Sequence, residues 1–380
     1  MIPVQGKCDP RFANVREAFA KNLESGEDLG ASFAATSNGE LVVDLWGGYK
    51  DEGRTQPWER DTIVNVFSTT KTMAALCMLM LADRREVDLN APVAKYWPEF
   101  RAAGKSRVEV RTFMSHSAGL SGLDEPVSQQ DCYDWEKITT LLARQEPWWE
   151  PGTKSGYHAI TQGYLLGEVV RRVTGESLGT FFRRNIAEPL GADFHIGVPD
   201  AIFPRIGDLV PPVESDSPLA PPDPSSIAAR TMRNPPVSAL ASRTPEWRRA
   251  EIPAANGHGN ARSVVMAQTA LANDGEAFGK RLLSPAGCRR IFEEQTNDVD
   301  LVLGMPVRYG MGYGLSNDMM PLSPNPNTCF WGGWGGSLVV VDQDAKLCFA
   351  FVMNRMAGGT VGDQRSARPA LALYEALRNS

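Results

Sequence analysis

A serine and a lysine three residues apart, Ser68 and Lys71, are the residues of this chain best suited to covalent chemistry. They stand in Val64-Asn65-Val66-Phe67-Ser68-Thr69-Thr70-Lys71-Thr72-Met73-Ala74-Ala75-Leu76, where a short apolar approach meets a long run of good helix formers. At that spacing on a helix the two side chains share a face. The partial positive charge of a helix N-terminus disfavours a second cation, so Lys71 is expected to give up its proton near neutral pH. A neutral amine beside a hydroxyl is a general base beside a nucleophile. The spacing alone is weak: 24 Ser and 10 Lys in 380 residues produce about 0.6 such pairs by chance. A helix cap with an exposed lysine also accounts for it.

A second proton-carrying group would relay the proton to the leaving atom. Pro151-Gly152-Thr153-Lys154-Ser155-Gly156-Tyr157-His158-Ala159 offers Tyr157, at the junction between a loop and a helix expected over 160–174. Next to Lys71 its pKa is expected to fall, with the two groups sharing protons. An ordinary half-buried tyrosine is the plainer reading. The third element is Cys329-Phe330-Trp331-Gly332-Gly333-Trp334-Gly335-Gly336-Ser337. Glycines at a strand edge let backbone come close to a bound group, and their N–H groups can hold an oxyanion. A glycine bulge beside packed tryptophans is the alternative.

The elements that must position these groups follow from pattern. Residues 11–24 read as an amphipathic helix. Residues 31–36 and 40–46 flank Asn38-Gly39, a hairpin turn signal. Helical patterns dominate from residue 68 to about 290. Strands are expected at 309–315, 337–342 and 346–354, and a last helix at about 364–378. The expected fold class is α+β. Residues 1–66 and 300–380 would form one antiparallel sheet flanked by the terminal helices, with 67–299 as an inserted, mainly helical domain and the site at the interface. Segment 199–224 holds eight prolines in 26 residues, too many for a helix or central strand. It reads as an excursion over the helical domain, either a lid or a surface loop.

Composition narrows the function. The net charge is −6, with no basic footprint for nucleic acid. The N-terminus lacks the apolar stretch of a secretory signal, and the longest apolar run, 76–82, ends at Asp83-Arg84-Arg85. A cytoplasmic protein without membrane partners is expected. Cys8, Cys77, Cys132, Cys288, Cys329 and Cys348 are scattered, and the four histidines show no metal-ligand spacing. Core thiols are expected, with neither metal nor cofactor.

Taken together, Ser68-Thr69-Thr70-Lys71, Tyr157 and the glycine-rich segment resemble the class C β-lactamase and penicillin-binding-protein superfamily, most closely its family VIII carboxylesterases. The resemblance spans nearly the whole chain. It includes Leu79-Met80-Leu81-Ala82-Asp83, Thr112-Phe113-Met114-Ser115-His116-Ser117-Ala118-Gly119-Leu120, Glu188-Pro189-Leu190-Gly191 and Asn256-Gly257-His258-Gly259-Asn260-Ala261-Arg262. It implies a β-lactamase/transpeptidase-like fold, a nucleophile at Ser68, a base at Lys71 and Tyr157 as the first residue of the Y-x-N motif. It also implies an oxyanion hole from the backbone N–H groups of Ser68 and Trp334. Two departures stand out: Ala159 replaces the asparagine of Y-x-N, and Trp331-Gly332-Gly333 replaces K-T-G. Both remove polar recognition of penicillin-like substrates and leave apolar walls. The resemblance therefore implies a serine esterase for small-molecule esters with short acyl chains, with a substrate pocket at Trp331, Gly332, Gly333, Trp334 and His158. The same acyl-enzyme would serve a β-lactamase, a D-aminopeptidase-type amidase or an acyltransferase, and a homo-oligomer stays open.

Two other motifs carry less. Gly175-Glu176-Ser177-Leu178-Gly179 matches the G-x-S-x-G nucleophile elbow, but a helical pattern precedes it where a strand is needed. Gly104-Lys105-Ser106 resembles the end of a phosphate loop, but its first glycine would fall on Glu99.

Overall fold

Continuous apolar runs mark strands covered on both faces, and the C-terminal part of the chain holds two of them: Leu338–Asp342 and Leu347–Met353. In a computed structural model, which describes residues 3–212 and 223–379, they form the middle of a nine-stranded antiparallel sheet. The order across it is Gln5–Cys8, Glu40–Gly48, Gly30–Ser37, Leu347–Met353, Leu338–Asp342, Thr328–Gly332, Gly314–Leu315, Pro306–Tyr309 and Thr296–Val299. The two ends of the chain meet where Phe351 pairs with Phe33. Asn38 and Gly39 have φ of 51° and 80°, the positive pair a two-residue hairpin turn requires.

Helices cover both faces. On one, the helices Ala13–Glu24 and Gln364–Arg378 pack together, and Tyr374 meets the edge of Phe349. On the other, Thr36 bonds Thr269 of the helix Ala261–Ala272. Adjacent strand residues point to opposite faces, so Ala35, paired with Phe349, faces the terminal helices and Thr36 faces away.

The helix Lys71–Asp83 is buried on all sides, with every residue from Lys71 to Ala82 buried. It packs against the helices Thr161–Thr174, Leu178–Phe182, Ala261–Ala272 and Pro285–Arg289. Such an element is a fixed platform for whatever its first turn carries.

Two expectations are corrected. The division of the chain at residues 67 and 300 does not follow packing. Thr296–Val299 is the edge strand of the sheet, Ala261–Ala272 covers its face, and one contiguous apolar core runs through sheet and helices. The strand expected over 309–315 is broken at Gly310–Tyr313. Gly312, at φ +84°, lies so close to the helix that an added Cβ would stand 2.5 Å from that of Ala75. The middle of the proline-rich segment, 213–222, lies outside the described residues, and the choice between a lid and a surface loop lies there with it. The preceding part is packed against the body: Ile206 pairs with Ile63, and Val210 with Arg355.

All six cysteines are free, five of them buried. Among the described residues no helix is long and apolar enough to cross a membrane.

Candidate active site

Ser68 lies in the 3-10 turn Phe67–Thr70, which runs directly into the helix Lys71–Asp83. The residue before it, Phe67, has φ +43°, a left-handed conformation costing a bulky residue about 1–3 kcal/mol. Its surroundings hold it there. The Thr70 hydroxyl donates to the Phe67 carbonyl at 2.5 Å, and the Gly257 N–H donates to that hydroxyl at 2.8 Å. The Phe67 ring packs between Trp247 and Trp334, with centroids 6.3 and 5.2 Å away. The kink turns Ser68 outward while its neighbours Phe67, Thr69 and Thr70 stay buried.

Three groups meet at the serine. Lys71 Nζ lies 3.2 Å from Ser68 Oγ, and the Tyr157 hydroxyl donates to that oxygen at 2.5 Å. Lys71 Nζ is also 4.8 Å from the centre of the Tyr157 ring. The lysine is only 1% exposed and, among the described residues, has no carboxylate partner, so burial alone holds its pKa well below the usual lysine range. Two backbone carbonyls accept from its nitrogen, Ala159 at 2.7 Å and Ala254 at 2.9 Å. A neutral amine has two N–H donors and one lone pair. In that neutral form the two carbonyls would take both donors and the lone pair would be left for Ser68, whose Oγ lies 3.2 Å from the same nitrogen.

Tyr157 corrects the sequence reading. Its pKa is raised, not lowered: burial outweighs the opposing pull of Ser68 and Trp331, and Asp300 adds to the rise. The two shifts run in opposite directions: burial pushes the phenol toward keeping its proton and the amine toward losing one. Two groups whose environments drive their pKa values apart are the arrangement that acid–base catalysis at neutral pH requires.

The glycine-rich segment lies against the turn that carries Ser68. An added Cβ on Gly333 would stand 2.1 Å from the Val66 carbonyl, so only glycine fits. Ser337 Oγ bonds both Thr69 Oγ1, at 2.9 Å, and the Val66 carbonyl, at 3.0 Å. The N–H groups of Gly333, Gly335 and Gly336 are taken by Ser337, Gly359 and Gly333. Among the described residues the N–H groups of Ser68 and Trp334 have no protein acceptor. These are the two donors the resemblance names.

Trp331 is buried beside Tyr157, stacked on His116 at 5.2 Å and 19°, with Tyr309 5.9 Å away. An apolar cavity of about 240 Å³ opens here, lined by Tyr157, Tyr309, Phe330, Trp331, Gly332, Leu303, Met305, Val307, Met320 and Val361 among others. His158, expected in this pocket, is not part of it. It is fully buried, its Nδ1 meets the Gly156 carbonyl, its Nε2 accepts the Leu120 N–H, and burial pushes its pKa down to about 3. Its ring is spent on backbone. Gly333 and Trp334 also lie outside the cavity wall.

Two residues were not assigned from sequence. His116 accepts the His158 N–H on Nδ1 and puts its ring 5.1 Å from that of Tyr157. Asp300 is fully buried and gathers four donors: the N–H groups of Tyr157 (3.0 Å), Val302 (2.9 Å) and Leu303 (2.9 Å), and the Tyr309 hydroxyl (3.2 Å). It ties the tyrosine to the cavity wall. No local pattern announces an acceptor whose partner is 143 residues away. Ser177 caps the helix Leu178–Phe182 and bonds Glu251, in keeping with its reading as a cap.

Comparison with known proteins places the chain as a whole. A family model described as Beta-lactamase matches residues 15–374. A Mycobacterium tuberculosis protein, Esterase/beta-lactamase LipL, is 37% identical over 93% of this chain and 83% of its own length. The crystal structure of a family VIII carboxylesterase superposes with a TM-score of 0.92 at 42% identity, covering 98% of this chain and all of the other. A penicillin-binding protein homologue from Caulobacter crescentus gives the same TM-score at 38% identity, with the same coverage.

Proposed function

This chain belongs to the beta-lactamase family, and we propose that it is a serine esterase of the family VIII kind, hydrolysing small carboxylic esters with short acyl chains through an acyl-enzyme on Ser68. The observation that carries this reading is the hydrogen-bond inventory at Lys71. A buried amine whose two N–H groups are engaged by Ala159 and Ala254 has its lone pair free for the Ser68 hydroxyl.

Lys71 takes the proton as Ser68 Oγ attacks the ester carbonyl. The N–H groups of Ser68 and Trp334 receive the oxyanion, each worth about 2.7–4 kcal/mol in comparable sites. As the intermediate collapses, Tyr157 gives its proton to the leaving alcohol and takes one from the Lys71 ammonium, so one proton passes in net from serine to alcohol and both groups return to their starting states. Water then attacks the acyl-enzyme by the same route in reverse, and Ser68 is restored.

The preference for esters over β-lactams rests on Ala159 and Trp331, which supply neither an amide for an acyl amide nor a cation for a carboxylate. Two lost polar contacts of about 1.4 kcal/mol each correspond to a factor of about 100. Steady-state rates on p-nitrophenyl butyrate and a chromogenic cephalosporin test this. kcat/KM is expected to favour the ester by at least that factor, and a faster cephalosporin reaction would make the chain a β-lactamase. The cavity volume, about 240 Å³, falls below the roughly 300–1,000 Å³ of pockets for drug-sized ligands, which favours small substrates.

The pH profile follows from the two shifts. Protonating Lys71 removes the base, so kcat/KM falls on the acid side, at a pH well below the ordinary lysine value of about 10.4. Ionising Tyr157 removes the acid, and its raised pKa carries the plateau past pH 10. An activity that rises only above about pH 9.5 would show that burial has not neutralised the amine.

A further inference from the structure

We infer that the apolar cavity beside Tyr157 receives the alcohol arm of the ester, and that it suits flat, apolar alcohols. This rests on the esterase reading and adds which half of the substrate the cavity selects. The tetrahedral carbon on Ser68 Oγ carries three other substituents. One is the oxyanion oxygen, directed at the N–H groups of Ser68 and Trp334. Another is the leaving oxygen, which must come within about 2.6–3.2 Å of the Tyr157 hydroxyl to take its proton. The third is the acyl chain.

Of the groups that carry out the chemistry, Tyr157 alone lines the cavity; Ser68, Lys71 and Trp334 do not. A substituent bonded to the oxygen at Tyr157 therefore continues into it. When the intermediate collapses, the bond between the carbonyl carbon and that oxygen breaks. The electron pair stays on the oxygen, which takes the Tyr157 proton, and the neutral alcohol is left in the cavity. The walls suit an aromatic alcohol: Trp331 and Tyr309 present rings 5.9 Å apart, with Phe330 beside them. Asp300 holds this wall and the proton donor in one frame, through the N–H groups of Tyr157 and Leu303 and the hydroxyl of Tyr309. Size selection on the alcohol and protonation of its oxygen are thereby coupled.

Met305 lines the cavity and is 38% exposed, so it can be changed without opening the core. Two ratios of kcat/KM are to be measured in wild type, Met305→Trp and Met305→Ala. One compares 1-naphthyl acetate with ethyl acetate, and the other compares ethyl hexanoate with ethyl acetate. The first ratio is expected to fall at least tenfold in Met305→Trp and to rise in Met305→Ala, while the second keeps its wild-type value in both. A change in the second ratio, alone or with the first, would place the acyl chain in the cavity and overturn the assignment, as would no change in either. The esterase reading fails on a different observation, the absence of a covalent adduct on Ser68, so the two failures are distinguishable.

Discussion

Ser68→Ala is expected to lower turnover of a p-nitrophenyl ester by about 10⁶-fold, the scale on which a serine nucleophile is lost elsewhere. The residual rate would come from the oxyanion donors and from binding, which the substitution leaves in place. The fold should not suffer. Ser68 is half-buried, and the turn around it is held by Thr70, Gly257 and Ser337 rather than by its own hydroxyl. Among the described residues its Oγ hydrogen-bonds only with Lys71 and Tyr157. Thermal unfolding close to wild type together with lost activity is the expected pair of results. Full activity in this variant would remove the nucleophile from the mechanism.

The second large effect is non-additivity. Lys71→Ala and Tyr157→Phe should each reduce kcat by about 10²–10⁴-fold, the range for loss of a general acid or base. Independent contributions would multiply to about 10⁴–10⁸ in the double variant. The contacts argue otherwise. Both groups touch the same oxygen, at 3.2 and 2.5 Å, and Lys71 Nζ sits 4.8 Å from the centre of the phenol ring. A proton taken by one is returned through the other, so breaking the relay at either point removes most of what it supplies. The double variant should therefore lie within about tenfold of the slower single variant. Multiplying losses would mean that lysine and tyrosine contribute independently and share no proton relay.

The reach of sequence reasoning differs from residue to residue. The pairing of Ser68 with Lys71 was legible because three residues of helix fix it locally. The downward shift of Lys71 was also expected, but from a different cause: burial with the helix Lys71–Asp83, rather than the charge at the helix end, lowers its pKa. For Tyr157 the same misjudgement reversed the sign, since a neighbouring cation was counted and burial was not. The edge strands Gln5–Cys8 and Thr296–Val299 escaped notice because they are short, polar and largely exposed, which leaves no alternating pattern. The central strands were plain, since burial on both faces writes a continuous apolar run. Asp300 was silent because its work is done on backbone N–H groups brought to it by the fold. His158 shows the converse: a histidine beside the tyrosine attracts attention, yet its two nitrogens serve the backbone of Gly156 and Leu120.

Intact-mass analysis after treatment with a fluorophosphonate, followed by peptide mapping, tests the central claim most directly. One phosphonyl group on Ser68 in the wild type, with labelling slowed strongly in Lys71→Ala, is the predicted result. An adduct on any other residue, or labelling of Ser68 at an unchanged rate without the lysine, would contradict an activated hydroxyl at this position.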